Sequence, residues 1–208
     1  MPDSPRDRES LHSPGFLESL RSGDSEALDR LMERLWAPLV GYAGRILPDG
    51  SDPQDMVQEA FVRLWTRRAT LREDGSIRAL LYTTVRNACL DEIRTSRRRQ
   101  KLRSAECGPS AAPGPYEDTQ GAELQRLAAA AVAKLPEKRR EVFRLVREEG
   151  LSYREAAEVL VLSEQTVANH MSLALADLRT ALRPFVSDPE AGTRTGEEPR
   201  PRGKPSGG

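Results

Sequence analysis

Histidine and cysteine are almost missing from this chain. The two histidines, His12 and His170, lie far apart among 208 residues, and the two cysteines, Cys89 and Cys107, form no CxxC pair. That scarcity argues against a metal-ligand set with regular spacing and against a disulfide framework, and it fits a reducing compartment. Cys89 falls inside a helical pattern and reads as a small buried residue rather than a reactive thiol. No glycine-rich phosphate loop and no nucleophile motif is present. The many carboxylates sit at the spacing of solvent-facing helix pairs. The sequence is therefore not read as that of an enzyme, and neither cofactor, metal nor small-molecule substrate is expected. No apolar run reaches the length of a membrane span. The opening segment MPDSPRDRESLHSPG lacks the apolar core of a signal peptide. A soluble cytoplasmic protein with no membrane partner is expected. Net charge is missing too, with 32 Lys and Arg against 32 Asp and Glu. A zero sum says little about partners, because the segregation of charge matters more.

What is present is helical periodicity, broken by segments rich in proline and glycine. Residues 1–13 are polar and read as a disordered N-terminus. Residues 104–120, SAECGPSAAPGPYEDTQ, read as a flexible linker. The chain after Pro184 lacks periodicity, so 185–208 reads as a disordered tail. Two small helical domains remain, 14–103 and 121–184, and no convincing β-alternation occurs. The fold class expected is all-α: two small helical domains joined by a flexible linker.

Local signals mark several helix starts. Leu28, Leu31, Leu35, Leu39 and Tyr42 form one apolar stripe over 25–47. In SDPQDMVQEAFVRLW, Asp52 can cap, Pro53 suits the first helical position, and Asp55 complements the positive helix end. Met56, Val57, Ala60, Phe61, Leu64 and Trp65 supply its apolar face. Another helix begins after Ser76. Beyond the linker, helices are expected at 121–134, 137–148, 153–160 and 164–182. Ser152 with Glu155 makes a capping box, stapled by Leu151 to Ala156, and Ser163 begins a similar start with Leu162 against Val167. Two helices joined by a tight turn, the second longer, form a helix-turn-helix layout in the second domain.

Charge segregates on the helix that follows Ser76. Ser76 to Arg103 carries eight basic and two acidic residues, against an acidic surplus over 16–75. At about 100° per residue, Arg86, Asn87, Arg94, Arg97, Arg98 and Lys101 fall within roughly 120° of arc. Ile77, Leu81, Thr84, Val85 and Ala88 lie opposite, and Leu90 falls inside the basic arc, where it is expected to pack on a neighbouring element. Arginines neutralise phosphates, Tyr82 can stack a base and Asn87 can read a base edge. A solvated, dipole-complementing helix end is the plainer reading. In the second domain, the leading turns of the last helix carry Glu164, Gln165, Thr166, Ala168, Asn169 and His170. Gln and Asn can read adenine, and Glu can accept from cytosine. Val167, Met171, Ala174, Leu178 and Leu182 face inward, and Arg154 could hold a phosphate. An ordinary helical hairpin is the alternative.

SDPQDMVQEAFVRLW, TVRNACLDEIR and LPEKRREVFRLVREEGLSYREAAEVLVLSEQTVANHM occur in that order. Together they resemble the extracytoplasmic-function (ECF) group of sigma-70-type RNA polymerase sigma factors, over about 16–103 and 121–184. The resemblance implies a subunit that directs core polymerase to promoters and supports their melting. It implies a first domain (regions 2.1–2.4) that binds the polymerase clamp and the −10 element. The second (regions 4.1–4.2) binds the flap and reads the −35 element. On this chain it implies that Asp55, Gln58, Glu59, Arg63 and Trp65 face the clamp. It implies that Tyr82, Arg86, Asn87, Arg94, Arg97 and Arg98 face −10 DNA, and that the loop Leu71–Ser76 captures a flipped base. It implies that Arg154, Ser163, Glu164, Gln165, Thr166, Asn169 and His170 serve −35 DNA. The linker would hold each domain near its target at high effective concentration.

Departures from the family pattern carry their own expectations. Leu80 stands where many relatives have Trp. Val161 stands where many have a turn glycine, and valine resists positive φ, so a differently shaped turn is expected. Ala168, His170, Ser172, Leu173, Leu175 and Ala176 carry no fixed charge. Weak binding of −35 DNA by the isolated second domain, with a shallow salt dependence, is therefore expected. Leu173 and Leu175 either meet a protein partner such as an anti-sigma factor or pack within the domain. A rival reading is a dimeric regulator of the response-regulator output type, whose helix-turn-helix carries a run like Thr166–His170 and binds operator duplex unaided. It leaves the first two motifs without a role.

Overall fold

A computed structural model describes residue 11, residues 13–103 and residues 120–186. The expectations for 1–10, for 104–119 and for 187–208 lie outside the described residues. The described residues form helices and turns only, without a strand.

Helix α1 (Pro14–Ser22) was not anticipated from the sequence. The Ser13 hydroxyl accepts from the Phe16 amide at 3.3 Å, and Gly23, at φ 87°, closes the other end. Leu11 is buried in the core and Ser13 caps a helix, so the expectation of disorder through residue 13 is corrected at these two positions. Each of the next two helices starts on an aspartate. Asp24 accepts from Glu26 N at 3.0 Å to begin α2 (Ser25–Gly44), and Asp52 accepts from Gln54 N at 2.8 Å to begin α3 (Pro53–Thr66). The expected stripe on α2 is buried at Leu31, Leu35, Leu39 and Tyr42. α3 buries Val57, Ala60, Phe61 and Leu64, while Met56 and Trp65 are half-buried. A 3-10 turn at Arg68–Thr70 leads into a loop. Helix α4 (Ile77–Arg103) follows, its first turn capped by Ser76 Oγ, which accepts from Ala79 N at 3.1 Å.

In the second unit, α5 (Gln120–Ala133) precedes α6 (Glu137–Phe143), which runs on as a π-helical turn at Arg144–Glu148. Gly150, at φ 68°, then turns the chain toward α7 (Tyr153–Leu160). The capping box on α7 is complete: Ser152 Oγ accepts from Glu155 N, and Glu155 accepts from Ser152 N at 2.8 Å. α8 (Glu164–Val186) begins on Ser163, whose hydroxyl accepts from Thr166 N at 3.1 Å.

The turn between α7 and α8 corrects one expectation. Val161 takes the left-handed conformation itself, at φ 55° and ψ 50°. Leu162 N donates to Ala157 O at 2.9 Å and Val161 N to Glu158 O at 3.4 Å, the two bonds of a Schellman motif. The turn keeps the shape a glycine would give it, and the β-branched residue bears the strain. The residue is 88% exposed, so little packing offsets that strain.

One hydrophobic cluster runs through both units. It joins Leu31, Leu39, Phe61, Leu81 and Val85 of the first to Val142, Leu145, Leu151, Val159 and Val167 of the second. A smaller cluster of Ala131, Val132, Leu135, Ala174 and Leu178 belongs to the second unit. The two helical units are thus docked, with α7 and Glu149, just past the π-helical turn, against α4.

Candidate nucleic-acid and polymerase interfaces

Helix α3 shows a polar outer face because its apolar residues are consumed inward. Asp55, Gln58, Glu59 and Arg63 are exposed together, Arg63 pairs with Glu59 one turn away, and Trp65 is half-buried at the edge. Val62, exposed in their midst, adds an apolar spot. Of the residues expected to face the clamp, four are thus exposed on α3, and Trp65 lies beneath Arg68, whose guanidinium is 4.5 Å from its ring centroid.

The α4 set divides. Asn87, Arg94, Arg97 and Arg98 are exposed, and Arg94 pairs with Asp91 at 2.7 Å within the helix. Ile77, Leu81, Val85 and Ala88 are buried on the opposite side, as the periodicity predicts, and Leu90, which falls inside the basic arc, is half-buried. Tyr82 and Arg86 differ from the expectation. Tyr82 is 0% exposed, donates its hydroxyl to Glu149 at 2.8 Å, and meets Tyr42 edge-to-face with ring centroids 5.1 Å apart. Burial pushes its hydroxyl pKa up. Arg86 is half-buried and bonds Glu141 at 2.6 Å. Burial works against its charge, and the Glu141 carboxylate more than compensates, raising its pKa. In this conformation neither residue is free to meet DNA.

The physical reason lies in a second buried stripe on α4. Arg78, Tyr82, Arg86 and Cys89 recur at spacings of four, four and three, which places them along one side of a helix. That side docks on the second unit. Arg78 donates to the carbonyls of Glu149 and Gly150, the latter at 3.3 Å, satisfying backbone acceptors left open where the π-helical turn ends. Glu149 itself is buried, pairs with Arg45 from the end of α2, and accepts from Tyr82. Ser76 Oγ, while capping α4, donates to Glu155 at 2.8 Å, so one carboxylate sits at the positive ends of both α4 and α7. Burial alone would raise the Glu155 pKa. Bonds from the Ser152 amide and from the Ser76 and Ser152 hydroxyls outweigh it and hold the carboxyl below its usual range. Sequence reasoning missed Arg45, Arg78, Glu141 and Glu149, and the only signal was the second stripe, which does not name its partner.

Beside this contact lies a cavity of about 480 Å³. Leu71, Arg72, Gly75 and Ser76 of the expected base-capture loop line it, with Arg63, Arg67, Thr84, Asn87 and, from the second unit, Glu158. Leu80, the residue at the position where Trp is common, lines it as well and is exposed.

On α8, Glu164, Gln165 and Asn169 are exposed on the leading turns, and Gln165 donates to Asn169 at 3.1 Å. Ser163 is occupied as the cap, and its Oγ lies 2.8 Å from the Thr166 hydroxyl, which is half-buried. His170 is half-buried, with Nδ1 buried and lacking a hydrogen-bond partner, so it is set back from its exposed neighbours. Arg154 is exposed but bonds Glu158 and the Asp74 carbonyl. Leu173 is exposed, whereas Leu175 packs against the core.

Two family models match the chain. One described as Sigma-70 region 2 covers residues 31–99, and one described as Sigma-70, region 4 covers residues 125–178. The chain belongs to the sigma-70 family. Its curated relatives place it in the ECF group. It is 29% identical over 167 residues to the ECF RNA polymerase sigma factor SigL of Mycobacterium tuberculosis, covering 78% of this chain and 94% of that one. It is 24% identical to the ECF RNA polymerase sigma-E factor of Escherichia coli over 188 residues, covering 86% and 98%. A probable RNA polymerase sigma factor, RfaY of Xanthomonas campestris, is 29% identical, but this chain spans only 42% of it. Among solved structures, CnrH bound to the cytosolic domain of CnrY matches with a TM-score of 0.58 at 26% identity, covering 83% of this chain and 98% of that one. The sigma factor RpoE of Bartonella quintana, bound to the anti-sigma factor NepR, shares the fold at the same TM-score and 20% identity, covering 74% and 96%. The region 2 match thus falls within the first unit and the region 4 match within the second.

Proposed function

We propose that this chain is an ECF sigma subunit that directs core RNA polymerase to specific promoters and supports their melting in the cytoplasm. The carrying observation is the ordered pair of region 2 and region 4 matches on one chain, with a polar outer face on α3 and a cationic distal half on α4. The α3 face (Asp55, Gln58, Glu59, Arg63, Trp65) docks on the polymerase clamp. Arg94, Arg97 and Arg98, joined by Arg86 once it is uncovered, hold the −10 strand by neutralising its phosphates, while Asn87 reads a base edge and Tyr82, once uncovered, stacks a base. The cavity bounded by Leu71–Ser76 receives an unstacked base, at a cost of a few kcal/mol that pocket contacts offset. Glu164, Gln165, Thr166, Asn169 and His170 read the −35 duplex, with Arg154 and Ser163 at the phosphates. The exposed Leu173 offers an apolar contact to an anti-sigma factor. The chain itself performs no bond chemistry, which belongs to the polymerase.

The test is a reconstituted holoenzyme. Arg94→Ala and Arg97→Ala should reduce open-complex formation several-fold while leaving core binding near wild type. Equal loss of both would contradict the residue assignment. The response-regulator alternative predicts tight binding of operator duplex by the free chain, with two half-sites. It gives no role to the region 2 domain.

A further inference from the structure

The promoter contacts proposed so far leave helix α1 without a role, yet it is fastened to the Leu71–Ser76 loop. Leu11, Phe16, Leu17 and Leu20 bury it in the core, which makes it a firm support. Its end lies against the 3-10 turn that leads into the loop: a Cβ on Gly23 would meet the Arg68 guanidinium at 3.2 Å. From the last turn of α1, Arg21 reaches the loop itself. Its Nε donates to the Leu71 carbonyl at 2.8 Å, Nη2 donates to the same oxygen, and Nη1 pairs with Glu73 Oε1 at 3.0 Å. One planar fork thus fixes a backbone carbonyl and a carboxylate two residues apart. The Arg21 side chain is 23% exposed and that of Glu73 83%, so the bond to the carbonyl is the sheltered one. The two sides of the loop differ. Arg72, paired with Asp74 at 2.8 Å, lines the cavity of about 480 Å³ described above. Arg21 and Glu73 line another, of about 550 Å³, behind the loop, with Leu11, Leu17 and Glu18. Arg21 therefore touches the loop and not a base lodged in front of it.

We propose that Arg21 is a positioning residue for promoter recognition: it holds the start of the Leu71–Ser76 loop in the shape that receives an unstacked base, and so sets selectivity at that one promoter position. This rests on the reading of the loop as the base-capture site. Without the fork the loop samples other shapes, and apparent affinity for the base falls by the competent fraction: about one competent loop in ten weakens capture about tenfold. The α3 face and the arginines of α4 are untouched, so the loss is confined to base selectivity. Lysine brings a point charge on a flexible stem and no fork, so Arg21→Lys restores only part of it.

The experiment uses the full chain, alone and assembled with core polymerase. Hydrogen exchange of the chain alone reads the anchor: the amides of residues 72–75 should exchange faster in Arg21→Ala than in wild type, while those of α3 stay unchanged. Selection from a duplex carrying a randomised mismatched bubble reads selectivity, since that probe needs no melting. Wild-type holoenzyme should prefer one base at one bubble position. Arg21→Ala should cut that preference several-fold and Arg21→Lys by less. Glu73→Ala, at an exposed residue with little risk to folding, should cut it least, because the bond to the Leu71 carbonyl survives. Core binding and the urea midpoint of Arg21→Lys and Glu73→Ala should stay near wild type. Unchanged exchange at 72–75, an unchanged preference in Arg21→Ala, or core binding lost in step with the preference would overturn the proposal. Thr84→Trp, which fills the base cavity from α4, scores the base-capture reading separately. A wild type without such a preference, or a preference that Thr84→Trp leaves intact, sinks that reading, whatever the exchange reports.

Discussion

Replacing Glu149 by alanine probes the centre of the interdomain contact, and its effect can be worked from the geometry. The Glu149 side chain is 4% exposed, pairs with Arg45, and accepts the Tyr82 hydroxyl at 2.8 Å. Arg45 is 37% exposed and keeps Glu148 at 3.6 Å, so water and the second carboxylate recover most of what it loses. Tyr82 has no such recourse. A buried hydroxyl stripped of its acceptor costs about 1–3 kcal/mol, so Glu149→Ala should destabilise by about 2 kcal/mol. Tyr82→Phe removes only the donor and leaves Glu149 with Arg45, costing about 0.5–1.5 kcal/mol. In the double variant no hydroxyl is orphaned, so the two losses should fall short of additivity by about 1 kcal/mol. Urea unfolding of the four proteins, followed by far-ultraviolet circular dichroism, measures this. The continuous hydrophobic cluster predicts one transition for both domains. Losses that add within about 0.3 kcal/mol would refute the pairing of Tyr82 with Glu149.

Three further outcomes follow from particular residues. Val161→Gly should raise stability by about 1 kcal/mol, since a β-branched residue in the left-handed region costs roughly 1–2 kcal/mol and glycine returns part of that in unfolded-state entropy. The melting temperature should rise by about 2–4 °C, and no change would mean the turn is unstrained. Cys89, buried and with its thiol pKa pushed up to about 11, should label far more slowly with a maleimide in the native chain than in urea. Equal rates would place it outside the core. Acid should loosen the interface through Glu155. Its carboxyl pKa is lower in the folded chain than in the unfolded one, so its contribution is present above the ordinary glutamate range. That contribution is lost as pH falls through the depressed folded value. Glu155→Gln should flatten that part of the stability profile measured by denaturant midpoints, and an unchanged profile would contradict it.

How far the molecule was legible depended on the range of the interactions involved. The Asp52 cap, the Ser152–Glu155 box and the Ser163 cap were readable because donor and acceptor lie within three residues of each other. The buried stripes of α2 and α3 were readable because one face of each is simply apolar. Helix α1 was missed although Ser13, Pro14 and Gly23 bracket it, because its charged residues obscure a short apolar pattern. Val161 was misjudged in the opposite sense. Its intrinsic preference argued against positive φ, yet the packing of α7 and α8 on either side fixes the turn. The role of Tyr82 and Arg86 could not be read from α4 alone, since their partners lie 67 and 55 residues away in a separately patterned domain. The residues expected to meet the clamp and −35 DNA, on α3 and on α7 and the start of α8, are mostly exposed, with Trp65, Thr166 and His170 only half-exposed.

Promoter-specific initiation by a holoenzyme is measured directly by run-off transcription with purified core polymerase on genomic fragments. The chain added to core should yield discrete transcripts that neither component makes alone, and Arg94→Ala with Arg97→Ala should diminish them. Transcription unaltered by the chain, together with tight binding of duplex by the chain on its own, would contradict it.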